Sequence, residues 1–212
     1  MASGRVQMGP MRIGVLASHE GSVLQAMLDA CNDARVPARI VLVISNNSES
    51  GALRRARDAG VATCHLSNAT HRDPGELDRA IVASLDAQNV DLVVLAGSMK
   101  RLGPAVLRRY AGRLLNTHPA LLPKFGGAGF YGRRVHEAVL ASGEPESGAT
   151  VHWVVGDYDT GPIIAQTRVA ITANDTAESL EAKVKAVERT LLIDTLATLA
   201  RRHACSGSIE TI

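Results

Sequence analysis

The sequence predicts one α/β domain built on a doubly wound, mostly parallel sheet. Short apolar runs alternate with amphipathic stretches along most of the chain, the runs are nearly unbroken Val, Ile and Leu, and polar turns separate the two. Strands that read as continuous apolar runs are covered on both faces, which is the condition of a parallel sheet flanked by helices. Strand, helix and strand in succession require crossovers, and these are right-handed. With 212 residues the chain can bury one substantial core but is short for two.

In order, residues 12–17 (RIGVLA) form the first strand, and His19-Glu20-Gly21-Ser22 turns into a helix over 23–31. Amides of such a turn, at a helix N-terminus, suit a phosphate, although the turn is neither GxGxxG nor a Walker loop. Residues 38–45 (ARIVLVIS) make the next buried strand, 51–59 a helix and 61–66 a short strand. Pro74 lies near the start of an amphipathic helix that runs to Gln88. Strand 91–96 and helix 104–110 follow, and residues 113–115 lead into a polar segment. Glycines at 126, 127, 129 and 132 mark a loop. Helix 135–141, strand 150–155 (TVHWVV), a turn over 156–161 and strand 163–171 come next. Residues 175–200 read as one long amphipathic helix, capped by Thr176 or Asp175, with Glu178 in its first turn. Residues 1–10 are expected to be a disordered extension, 11–204 the domain and 205–212 a tail.

The totals exclude several classes. A net charge of +2 gives no electrostatic case for nucleic acid or membrane, and 3% aromatic content argues against base-stacking platforms. Cys31, Cys64 and Cys205 are far apart and form no CxxC pair, so they read as thiols in a reducing cytoplasm. No run is apolar enough to span a bilayer, and the leader lacks the apolar region of a secretory signal.

The stretch on which the chain is organised is Leu114-Leu115-Asn116-Thr117-His118-Pro119. A buried strand is expected to end at Leu115 and to present an amide and an imidazole at its carboxyl edge, where open α/β sheets bind ligands. Pro119 biases His118 toward an extended conformation. An acid/base imidazole beside a neutral hydrogen-bond donor suits acyl chemistry, one moving a proton and the other holding an oxyanion.

Together with Gly148-Ala149-Thr150-Val151-His152-Trp153 and Asp159-x-Gly161, this stretch resembles the folate-dependent formyltransferases, in the branch acting on glycinamide ribonucleotide in purine synthesis. Supporting matches are residues 12–24, Ala96-Gly97-x-Met99 and Val184-Lys185-x-x-Glu188, and the likeness runs from Met11 to about Ala200. The resemblance implies a Rossmann-like formyltransferase fold, 10-formyltetrahydrofolate as co-substrate and no metal. It places the catalytic set on Asn116, His118 and Asp159, with Asp159 raising the imidazole pKa. It places the ribonucleotide and its phosphate on Gly21, Ser22, Val23, Lys185 and Glu188. The folate falls on Met99, Lys100, Arg101, Leu102, Asn116, Val155, Gly156, Asp157, Tyr158 and Asp159, with Leu107 and Leu114 as apolar lining. Small-molecule substrates are the expected partners, with no nucleic acid or membrane, and a homodimer is left open.

The chain departs from the family's usual pattern at the phosphate turn, where Val23 replaces an asparagine and Glu20 adds a negative charge, and near Pro74, where Arg72 stands in for an expected arginine. Some residues read more plainly. Asp157 is expected to be a turn former, His136 and Glu137 a solvated helix face, and His152 either a structural histidine or a site neighbour. Methionyl-tRNA formyltransferase would add a C-terminal barrel, and formyltetrahydrofolate deformylase a leading regulatory domain. Deformylase chemistry on the core alone is the alternative, separated by Gly21, Ser22 and Lys185. A non-catalytic nucleotide-binding module would need neither Asn116 nor Asp159, and a dinucleotide reader would want the glycine fingerprint this chain lacks.

Overall fold

A computed structural model of the chain describes residues 9–97, 101–206 and 209. Its elements are β1 (Met11–Leu16), α1 (Ser22–Asn32), β2 (Ala38–Ser45), α2 (Gly51–Asp58), β3 (Ala62–His65), α3 (Pro74–Ala87) and β4 (Leu92–Leu95). They continue with α4 (Pro104–Arg109), β5 (Leu114–His118), α5 (Arg133–Ala141), β6 (Glu146–Trp153), β7 (Ile163–Ala170) and α6 (Ala177–Ser206). One seven-stranded sheet has the order β3-β2-β1-β4-β5-β6-β7. β1 to β5 pair in parallel, while β6 pairs antiparallel with both β5 and β7. The strand order reverses between β1 and β4, and the crevice outside the carboxyl ends of strands at such a switch point is where α/β sheets bind ligands.

Side-chain alternation along the strands divides the core. Ile13, Val15 and Leu115 pack with α1, α2 and α6, whereas Leu16, Leu95 and Leu114 pack with α3 and α4. A third cluster joins Val135 and Val139 of α5 to Ala149 of β6 and to Leu180 and Val184 of α6. Leu114, expected as apolar lining of the folate pocket, is fully buried in the core toward α3 and α4, and Leu107 is half-buried against the same cluster.

The largest departure from the sequence reading is at β5, which ends at His118 and not at Leu115. Asn116, Thr117 and His118 are opposite His152, Val151 and Thr150 of β6, so a polar triplet that looks like a strand's end is held in the ladder by an antiparallel neighbour. β6 correspondingly starts at Glu146, before the expected Thr150. The last helix runs on to Ser206 because Leu199, Ala200 and His203 are buried, with His203 Nε2 3.6 Å from Asp91 Oδ2. Its start is a reciprocal cap, in which Ser179 N–H donates to Thr176 Oγ1 and Thr176 N–H to Ser179 Oγ.

Helix α4 is only six residues long, and its N-cap is Gly103, which has no side chain to offer. Buried Asp78 of α3 supplies the cap instead, accepting from Ala105 N–H at 2.6 Å and Val106 N–H at 3.1 Å. A Cβ on residue 103 would lie 2.2 Å from Asp78 Cγ, so the glycine is what lets the carboxylate approach. An Asp78→Ala substitution orphans two N–H groups and is expected to cost about 2–3 kcal/mol. For a chain of this size that is a fall in Tm of roughly 4–12 °C, checked by thermal unfolding.

Candidate active site

A cavity of about 810 Å³ opens at the carboxyl ends of β1, β4 and β5, lined by His19–Val23, Ala96, Gly97 and Asn116–Pro119. Loop residues 127–132, Tyr158, Asp159 and one face of α6 complete it. Alternation along β5 turns Asn116 and His118 to one face and Thr117 to the other. His152, directly across from Asn116 on β6, joins the first pair.

Asp159 lies at the centre of these groups. Its Oδ2 is 3.3 Å from His118 Nδ1 and accepts from Gly127 N–H at 3.0 Å. Its Oδ1 is 3.4 Å from both Asn116 Nδ2 and His152 Nε2. The residue has φ 57°, a left-handed conformation that aspartate tolerates better than most side chains. Gly161 then lets the turn return against β6, because a Cβ there would lie 1.7 Å from Trp153 O. This is the physical content of the Asp-x-Gly spacing.

The imidazoles are oriented by carbonyls. Nδ1 of His152 lies 2.9 Å from Trp153 O, which places a proton there, and its Nε2 lies between Asn116 Nδ2 at 3.2 Å and Asp159 Oδ1 at 3.4 Å. Nε2–H of His118 donates to Phe125 O at 2.7 Å, leaving Nδ1 toward Asp159. Burial draws the His118 pKa below the usual imidazole range, outweighing Asp159 and the Phe125 carbonyl, which raise it. The expectation that Asp159 raises this pKa thus holds for its own contribution and not for the sum. Burial likewise pushes Asp159 upward, but His152, His118 and the Gly127 N–H outweigh it and hold the carboxyl below the ordinary range. The ring is set to be neutral, with a lone pair on Nδ1. A proton arriving there converts a lone-pair contact with Asp159 into an ion pair.

On the other face of β5, Thr117 Oγ1 donates to Glu188 Oε1 at 2.6 Å. Burial raises the Glu188 pKa against the pull of Thr117, Lys185 and Arg189. Gly21, Ser22, Val23, Lys185 and Glu188 all line the cavity, so the expected ribonucleotide set is brought together. Gly21 is left-handed at φ 72° and caps α1 without a side chain, leaving the first N–H groups of the helix open. Glu20 does not face them. Its carboxylate lies over the N-terminus of α2, where a Cβ on Gly51 would be 2.8 Å from Oε2, and Arg54 is 3.9 Å away. Arg55 Nε–H donates to Glu20 O and Ala52 N–H to His19 O, which fastens the turn to α2.

Of the expected folate set, Met99 and Lys100 lie outside the described residues. Arg101 forms an ion pair with Asp157, which joins the segment after β4 to the loop after β6 and gives Asp157 a partner beyond its turn. Leu102 packs with Val154 on the α3/α4 side of the core, Val155 is 60% exposed and Tyr158 reaches the cavity. Arg72 is exposed.

Two histidines depart from, or sharpen, the sequence reading. His136 is buried on the cavity side of α5, and does not lie on a solvated face. The expected helix began at residue 135, whereas α5 starts at Arg133 and turns His136 inward. His152 is a site neighbour. Its signal was legible only through pairing: it alternates with Thr150 on a strand whose register sets it opposite Asn116.

An amide, a carboxylate and an imidazole converge at the sheet's carboxyl edge beside an open helix N-terminus, an arrangement suited to acyl-group chemistry next to an anion. The chain belongs to the formyl transferase family, whose model matches residues 11–196. It is 39% identical to phosphoribosylglycinamide formyltransferase of Escherichia coli over 181 residues, 85% of this chain and 83% of that one. The enzyme of that name from Mycobacterium tuberculosis is 44% identical over 191 residues, covering 90% and 86%. Among solved structures, glycinamide ribonucleotide transformylase 1 from Symbiobacterium toebii superposes with a TM-score of 0.84 at 37% identity, covering 92% of this chain and 89% of that one.

The buried histidines make a stability prediction. Burial lowers the pKa of both His118 and His136. In the unfolded chain each takes up a proton near pH 6.5, so stability is fully present above that range and falls as pH drops through it. Asp159 acts with the same sign but only at carboxylate pH. Denaturant unfolding between about pH 8 and pH 5 should show a steady loss of stability, shallower in His136→Gln. A flat profile would contradict the assignment of these rings as buried and neutral.

Proposed function

We propose that the chain transfers the formyl group of 10-formyltetrahydrofolate to the amine of glycinamide ribonucleotide, giving formylglycinamide ribonucleotide and tetrahydrofolate in purine synthesis. The observation that carries this is the convergence of Asn116, His118 and Asp159 on the floor of a cavity whose other end is an uncapped helix N-terminus. Its relatives carry the name of that activity.

The amine attacks the formyl carbon, a new C–N bond forms and the carbonyl oxygen becomes an oxyanion. Asn116 Nδ2 donates to that oxygen, giving up its longer contact, the 3.4 Å one to Asp159, and keeping the one to His152. His118 takes the amine's proton at Nδ1, where Asp159 stabilises it, and the proton returns to the folate nitrogen as the C–N bond to folate breaks. The phosphate rests on the N–H groups of Gly21, Ser22 and Val23, and Glu188 faces the rest of the ribonucleotide. The folate lies along Arg101, Leu102 and residues 155–159, with Met99 and Lys100 of the same segment. The free cysteines Cys31, Cys64 and Cys205 accord with a reducing cytoplasm, where we place the enzyme.

The test follows tetrahydrofolate formation by absorbance, with and without glycinamide ribonucleotide. Turnover that requires the ribonucleotide is expected; turnover without it would mean hydrolysis of formyl-folate instead. Asn116→Ala should lower kcat by about a hundred- to a thousand-fold. His118→Ala should lower it by roughly a hundred- to ten-thousand-fold. Near-normal kcat in either would overturn the role given to that residue.

A further inference from the structure

His118, Thr150 and Gln166 form one row across β5, β6 and β7, each directly opposite the next. Paired residues of antiparallel strands share a face, so all three side chains stand on the face that carries Asn116. Gln166 is on the edge strand, two strand spacings or roughly 10 Å from β5, and lines a small separate pocket instead of the substrate cavity. Residues 119–125 turn back over this row. Gln166 Nε2 donates to Leu122 O and to Thr150 Oγ1, each at 2.9 Å. That hydroxyl also accepts from Leu122 N–H at 3.1 Å and donates its one proton to Ala120 O at 2.6 Å. Thr150 thus has no proton left for Leu122 O, which takes its hydrogen bond from Gln166.

Leu122 in turn sets the residues that touch the site. A Cβ on residue 126 would lie 2.5 Å from Leu122 Cδ2 and 3.2 Å from Asp159 Cβ, so the Gly126 backbone is wedged between the two. On one side of Gly126 the Phe125 carbonyl accepts from His118 Nε2–H, and on the other Gly127 N–H donates to Asp159 Oδ2. Phe125 has φ 56°, a left-handed conformation that costs a bulky residue and persists only where its surroundings fix it. We infer that Gln166 is a positioning residue for the reaction: through Leu122 it holds residues 125–127, and with them His118 and Asp159, in working geometry. The hold on the loop is independent of the substrate; its effect on turnover rests on the formyl-transfer reading above.

The experiment compares Gln166→Met, which keeps the length and removes the donors, with Gln166→Glu, which sets an acceptor against Leu122 O. Amide hydrogen exchange at Gly127 is followed by NMR, beside steady-state kinetics with glycinamide ribonucleotide and formyl-folate. In both variants exchange at Gly127 should quicken by roughly ten-fold while that of β1 stays unchanged. The kcat should fall by roughly ten- to a hundred-fold, with both KM values within about threefold of wild type. In a His118→Ala background Gln166→Met should lower kcat by less than about twofold, because the group it positions is gone. Wild-type exchange at Gly127, equally faster exchange in β1, or an undiminished kcat loss without His118 overturns the inference. The two readings fail separately. If Gly127 exchange quickens but even the wild type does not formylate the ribonucleotide, Gln166 still holds the pair and their substrate is another. If the wild type formylates it and Gln166→Met matches its kcat, the function stands and the positioning role falls.

Discussion

The antiparallel pairing of β6 with the last three residues of β5 is the constraint on which the site depends. The parallel strands β1 and β4 end on apolar residues, Leu16 and Leu95, and the polar residues that follow are loop. Here Thr150, Val151 and His152 hold His118, Thr117 and Asn116 in the ladder, so the polar triplet inherits strand geometry. The alternation that sorts Leu114 and Leu115 between two halves of the core then sorts Asn116 and His118 from Thr117. One strand thereby serves two ends of one cavity, with the amide and imidazole toward Asp159 and the hydroxyl toward Glu188 on α6.

The second constraint is backbone approach. Asp159 can meet two imidazoles, an amide and a loop N–H because its turn folds back on β6, and Gly161 is the residue that has no Cβ to strike Trp153 O. Gly21 plays the same part at the other end, where a Cβ would lie 2.7 Å from Ala52 Cα of α2. Both glycines also bring a fixed element close to a reacting or binding group. The Gly127 N–H on Asp159 and the Phe125 carbonyl on His118 tie the glycine loop to the same two side chains, so loop position and site electrostatics are one variable.

Much of this was legible in the residues. Unbroken Val/Ile/Leu runs gave the parallel strands to within a residue or two, and the resemblance carried Asn116, His118 and Asp159 to one place. What escaped lies between elements distant in sequence. The extent of β5 depends on a partner strand some thirty residues on, which no local pattern encodes. His136 reads as a surface residue on a charged helix, and only the docking of α5 against α6 buries it. The imidazole pKa follows the same rule. The carboxylate beside His118 is visible in the motif, but the desolvation that outweighs it belongs to the assembled core.

The phosphate turn shows why some departures from a family pattern are harmless. An anion held by backbone N–H groups is bound by donors every residue type possesses, so Val23 can stand where an asparagine is usual. The side chains there need only stay out of the way, and Glu20 does so by lying over the start of α2, beside Arg54.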